Sequence, residues 1–219
     1  MLSFIKAIIS ISLLVLSVSG TLIQNQKRDE NLPARVPYVF PAPGTDPIAD
    51  AIRARRNGTL LALDGALLNA PQIASTWNDL ANVIRDNNTI PAQMRELMIL
   101  RSGVVNNAAY VWLQHEPVAR STGLTTAQLL EIRMIPAFLG PLTPKSTLSK
   151  ELQAALLFAD WSSKNVHVPQ PVFNGLKQFL NNKQIVEAVS TVGFYNFVSR
   201  FVVSLNVDGK MDTAVPIPS

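Results

Sequence analysis

The chain has 219 residues, of which 47% are hydrophobic, 16% charged and 7% aromatic; this suits one domain with a sizeable core and excludes a disordered or fibrous chain. It contains no cysteine, so disulfides, thiolate metal sites, a cysteine nucleophile and thiol redox chemistry are all excluded. Its formal charge of +4 comes from 19 Lys plus Arg against 15 Asp plus Glu.

Residues 1–20 read as a secretory signal peptide. Lys6 gives a basic start, Ile8 to Leu16 is apolar apart from Ser10 and Ser12, and Val18-Ser19-Gly20 offers small residues for cleavage. The run is too short for a stable membrane span. Lys27-Arg28 resembles a kexin-type processing site, which makes Thr21 to Arg28 a candidate propeptide. Residues 1–28 hold Lys6, Lys27 and Arg28 and no acid, so their removal leaves 16 basic against 15 acidic residues, or +1. No basic face for nucleic acid remains. Two sequons, Asn57-Gly58-Thr59 and Asn87-Asn88-Thr89, mark Asn57 and Asn87 as glycosylation sites and agree with an extracellular destination.

Residues 29–44, with prolines at 33, 37, 41 and 43, are expected to form an extended arm on the domain or on a neighbouring subunit. From 45 to 205 the apolar residues recur at helical spacing, and strand patterns are nearly absent. Asp46-Pro47 opens the first helix, and Asn69-Ala70-Pro71 separates it from a second over about 71–86. Pro91 starts a third through Met94, Leu97, Met98 and Leu100. A fourth runs from Asn106 or Asn107 to Ser121, with Gly123 suited to the left-handed position after it. Thr125 with Gln128 is a capping box for a short helix to Met134. A loop around Pro136, Gly140, Pro141 and Pro144 follows, then a helix capped by Ser149 and two more over 169–181 and 183–205. Residues 206–219, with Gly209, Pro216 and Pro218, are expected to form a flexible tail. The fold class is therefore an all-α, single-domain helical bundle.

The chemistry concentrates in Arg95-Glu96-Leu97 and in the run Asn106-Asn107-Ala108-Ala109-Tyr110-Val111-Trp112-Leu113-Gln114-His115. Ala108, Val111, Trp112 and His115 share one helix face. If the two helices are antiparallel neighbours, Glu96 and His115 can converge as a carboxylate–imidazole pair for proton transfer. The bland alternative is a hydrogen-bonded core histidine with Glu96 in a salt-bridge network. His167, the other histidine, reads as a capping or surface residue. No acidic or histidine cluster suggests a metal, and no phosphate loop or serine elbow is present.

These runs, with Leu152 to Phe158 and Val186-Glu187 through Asn196-Phe197-Val198-Ser199-Arg200, resemble the carboxymuconolactone decarboxylase-like/alkylhydroperoxidase D-like superfamily over about residues 50–205. The resemblance implies an AhpD-like all-α fold and homo-oligomers, as trimers or hexamers. In the peroxidase branch a glutamate stands twelve residues before a Cys-x-x-Cys pair, and a histidine follows the second cysteine by four. That frame places Glu96 and His115 on the retained acid and imidazole, while Ala108 and Val111 replace both cysteines. Thiol peroxidase activity is thereby excluded. What the resemblance leaves is an acid–base lyase or isomerase, without cofactor or metal, acting on a small organic acid or lactone. Glu96, His115 and Tyr110 are its catalytic residues, and Trp112, Ala108, Val111, Asn196 and Arg200 its substrate contacts. The alternative is a non-catalytic secreted protein that uses the scaffold to bind a ligand or another cell.

Overall fold

A computed structural model describes residues 34–139 and 145–219 of the chain. The expected signal peptide, the candidate propeptide with Lys27-Arg28, and residues 29–33 of the expected arm lie outside the described residues, as do Gly140, Pro141 and Pro144 of the expected loop. Among the described residues the regular structure is wholly helical. It comprises α1 (Pro47–Arg55), α2 (Ala62–Leu67), α3 (Pro71–Asp86), α4 (Ala92–Val105), α5 (Ala109–Ser121), α6 (Thr126–Met134), α7 (Lys150–Lys164), α8 (Gln170–Lys177), α9 (Asn182–Ser204) and a 3-10 turn (Val207–Gly209). None of these helices is long and apolar enough to cross a membrane.

The helix ends follow local chemistry. Asp46 caps α1 by accepting from the backbone amides of Ile48 and Ala49 at 2.9 and 2.8 Å. The Thr125–Gln128 box caps α6, Ser149 caps α7, and an Asn181–Gln184 box caps α9. Gly123 takes φ +97° after α5, as a left-handed C′ residue. The first expected helix is in fact two, because Asn57 (φ +53°) and Gly58 (φ +89°) turn the chain after α1 and put the first sequon in an exposed bend.

α4 is the axis of the bundle. Residues 96–103 are buried on every side, and α5, α6, α7 and α9 pack around them. Each large apolar side chain fully buried here contributes about 1.5–3 kcal/mol, and the buried charges of Glu96 and Arg101 are held by partners. Two apolar clusters flank this axis. One joins Met94, Leu97, Met98 and Leu100 to Trp112, α6, α7, α8 and the first half of α9. The other joins Ile99 to α1, α2, α3, Tyr110, Val111 and the second half of α9.

Both ends of the domain are tied down. Arm residues 34–44 bend at 34–36, run without regular structure over 37–42 and turn at 43–44, with hydrogen bonds from Arg35 N to Leu205 O (2.8 Å) and from Val39 N to Gly65 O (2.9 Å). Phe40 lies so close to Gly65 that a Cβ there would stand 2.6 Å from its ring. The C-terminal residues do not hang free, contrary to the flexible tail expected over 206–219. Val207 and Val215 are buried, Arg133 donates twice to Val215 O, and the Asp208 amide donates to the Tyr38 hydroxyl. The sparse apolar residues of this tail lack helical period, yet they insert singly into an existing core, which a periodicity argument does not detect.

Candidate active site

The turn 106–108 returns α5 antiparallel along α4. Gln93 bonds the Thr122 carbonyl, Glu96 meets His115, and Gly103 faces Val111 so closely that a Cβ would stand 3.1 Å from Val111 Cγ1. This register brings the acid and the imidazole together. Glu96 Oε2 and His115 Nδ1 are 2.9 Å apart, and both side chains are almost fully buried.

The other ring nitrogen meets a residue that the sequence reading missed. The Tyr195 hydroxyl, from the middle of α9, is 2.9 Å from His115 Nε2, with the rings at 89°. Burial raises the Glu96 carboxyl, but the His115 hydrogen bond and charge and the Arg95 guanidinium outweigh it, so Glu96 is held below the usual carboxylate range. Burial lowers the His115 imidazole, and the opposing pull of Glu96 does not restore it. The resting pair is thus an ionised carboxylate and a neutral imidazole. Nδ1–H then donates to Glu96, and Nε2 accepts from the Tyr195 hydroxyl, whose own proton is held more tightly than usual by burial.

The relay borders a cavity of about 70 Å³ lined by His115, Tyr195, Tyr110, Val111, Trp77, Phe194 and other residues. Half-buried Arg56 and Arg85 and the exposed Gln114 also line it. Tyr110 shares the cavity but not the relay. Its hydroxyl is buried without a well-formed hydrogen bond, and burial pushes it up to about 12.

Several expected contacts lie elsewhere. Trp112 is wholly buried in the opposite cluster, where Nε1 donates to Glu116 at 2.6 Å. Ala108 is enclosed at the start of α5 and does not line the cavity. Asn196 accepts from Asn106 (2.9 Å) and donates to Ser163 (3.0 Å), and the exposed Arg200 donates to Asn196. These two share a stripe of α9 about 100–140° from Tyr195, so the helix that supplies the tyrosine turns them away. Tyr195 carried one usable signal, a phenol at helical spacing from the apolar residues Val192 and Val198, where burial demands a partner.

The relay makes stability pH-dependent. His115 is lowered from 6.5 and Glu96 from 4.5, so for both groups the unfolded chain binds protons more readily. The His115 contribution is lost as pH falls below about 6.5, and the Glu96 contribution below about 4.5. Urea midpoints measured from about pH 7.5 down to about pH 5 should fall, and His115→Gln should flatten that dependence. An unchanged slope in the variant would contradict this assignment.

Comparison with known proteins agrees with this architecture. Residues 71–159 match the carboxymuconolactone decarboxylase family. No curated protein matches the chain. Among solved structures, the alkylhydroperoxidase AhpD core of an uncharacterized peroxidase-related protein from Ralstonia eutropha JMP134 superposes with a TM-score of 0.67 at 15% identity, covering 80% of this chain and 90% of that one. The debrominase Bmp8 in complex with 2,3,4-tribromopyrrole gives 0.63 at 16% identity over 80% and 94%. A protein of unknown function from Agrobacterium tumefaciens, proposed to serve in AhpD-type antioxidant defence, gives 0.56 at 18% identity over 64% and 92%. At these identities the structures share a fold, while the matched segment contains both Glu96 and His115. The matched segment lies within the helical domain, and that domain shares the AhpD-like fold of these structures.

Proposed function

We propose that the protein is an acid–base catalyst acting on a small organic acid or lactone, as a lyase or isomerase, and that Glu96, His115 and Tyr195 carry the proton. The reading rests on one observation: a hydrogen-bonded carboxylate–imidazole–phenol series whose last two members line a cavity. A substrate group that loses a proton to the Tyr195 oxygen would push the phenolic proton onto His115 Nε2. The resulting imidazolium is stabilised by Glu96 at 2.9 Å. Run in reverse, the same path protonates a substrate carbanion. Tyr110, the hydroxyl first expected here, becomes a cavity wall whose phenol, only loosely held by the Leu63 backbone, can orient a substrate oxygen.

A ligand-binding protein without catalysis is the second reading. It is favoured by the fact that both imidazole nitrogens already have protein partners. Turnover of a panel of small lactones and aromatic acids by the wild type, His115→Ala and Glu96→Gln separates the two. Loss in both variants supports catalysis, whereas equal rates in all three, or none in any, contradict it for those substrates.

The remaining features belong to the same proposal. Asn57 and Asn87 are exposed, which supports glycosylation of a secreted chain. Ile73, Leu80 and Val83 of α3 and Val186, Val189 and Phe197 of α9 expose large apolar side chains, which supports a homo-oligomer. Sedimentation of the mature protein should give a species larger than one chain.

A further inference from the structure

The cavity that the proposed proton path borders is also lined by charge. Arg56 from the end of α1 and Arg85 from the last turn of α3 both line it. Arg56 is compensated, since its Nε lies 2.8 Å from the buried Asp64 carboxylate. Arg85 has no hydrogen-bond or ion-pair partner among the described residues, although it is half-buried. Arg55 stands behind the two, bonded to Asn78. Burial and then the charges of Arg56 and Arg85 hold its guanidinium below the usual range. Arg55 thus feels the charges of both neighbouring guanidiniums, with Asp64 and Asp86 opposing them. At the relay, Glu96 is already matched by Arg95 at 3.2 Å. Arg85 therefore lines, without a paired carboxylate, a cavity that Trp77 and Phe194 also line.

We propose that Arg85, with Arg56 beside it, is an anion clamp that selects a small carboxylate whose apolar body lies against Trp77 and Phe194. A guanidinium offers paired N–H donors matched to a carboxylate, and it is the side chain best suited to hold one at the edge of a low-dielectric pocket. Like-charge crowding among the three arginines is relieved when an anion binds, so affinity gains beyond the hydrogen bonds themselves. The clamp fixes one end of the ligand and leaves the other toward His115 and Tyr195. A carboxylate-bearing ligand is therefore required, and a neutral isostere is rejected, because it leaves Arg85 unpaired in a partly desolvated place. This inference shares the cavity with the proposed function, but it concerns binding and holds whether or not chemistry follows.

Benzoate and benzamide, equal in shape and different in charge, test it by titration calorimetry on the folded mature protein. The wild type should bind benzoate more tightly than benzamide. Arg85→Gln should weaken benzoate by about tenfold or more and leave benzamide nearly unchanged. Arg85 has no internal partner to orphan, so the variant should fold; Arg85→Glu, which should remove benzoate binding, gives a second measure of the same charge. Equal affinity for the two probes, unaltered benzoate affinity in Arg85→Gln, or no benzoate binding up to roughly 10 mM would overturn the clamp. Tyr195→Phe should keep the Arg85-dependent discrimination. If that discrimination stands while no panel compound turns over, the catalytic reading fails and the clamp survives. Turnover that is indifferent to Arg85 overturns the clamp and leaves the catalytic reading standing.

Discussion

Tyr195→Phe is expected to lower kcat/KM on any substrate found from the lactone and acid panel by about 10²- to 10⁴-fold, the range of a lost general acid or base. The substitution deletes one oxygen, keeps the ring against His115 and Phe194, and leaves His115 Nε2 facing the cavity. Tyr110→Phe should cost less, because its hydroxyl takes no part in the relay and has no well-formed bond to lose. If phenylalanine at 195 were tolerated while Tyr110→Phe abolished turnover, the proton would run through the other phenol. A drop in kcat with KM kept would place the loss in the transition state; a rise in KM alone would make Tyr195 a binding group.

Asp160→Ala should destabilise the domain by about 3–5 kcal/mol, the cost of leaving a buried charge without its partner. Arg101 and Asp160 are both fully buried. Arg101 bonds Asp160 through two nitrogens and donates a third bond to Ile132 O at 2.7 Å. Asp160 also accepts from the Phe138 amide at 3.1 Å, in a turn where Phe138 takes φ +71°. The alanine variant orphans a guanidinium and a backbone amide at once and frees a strained turn. Chemical denaturation reads the loss as a lower midpoint with an unchanged slope. Replacing both partners with apolar residues should recover much of it, since the pair's desolvation cost then disappears along with its attraction. A single-variant loss under about 1 kcal/mol would show the pair to be dispensable.

That ion pair marks a boundary of sequence reasoning. Arg101 was visible only as a charge near Arg95 and Glu96, and nothing in the order of residues tied it to Asp160, 59 positions away. Local signals fared differently. Pro47, Gly123, the Thr125 box and Ser149 act on their own backbone within a few residues, so their effects could be read without knowing what packs outside. The Glu96–His115 pair was legible for a related reason. Two helices joined by a short turn must return side by side, and the register then follows from helical spacing.

The helical class, most helix ends, the loss of sulfur chemistry and the acid–imidazole pair were all written in the order of residues, because each depends on residue type or on neighbours a few turns away. Long-range packing chose which hydroxyl completes the relay, turned Trp112, Asn196 and Arg200 from the cavity, and brought Arg56 and Arg85 to its lining. Those outcomes depend on how α1, α3 and α9 rotate about their axes against α4 and α5. That rotation is set by the summed packing of distant apolar faces, which no short stretch of chain encodes.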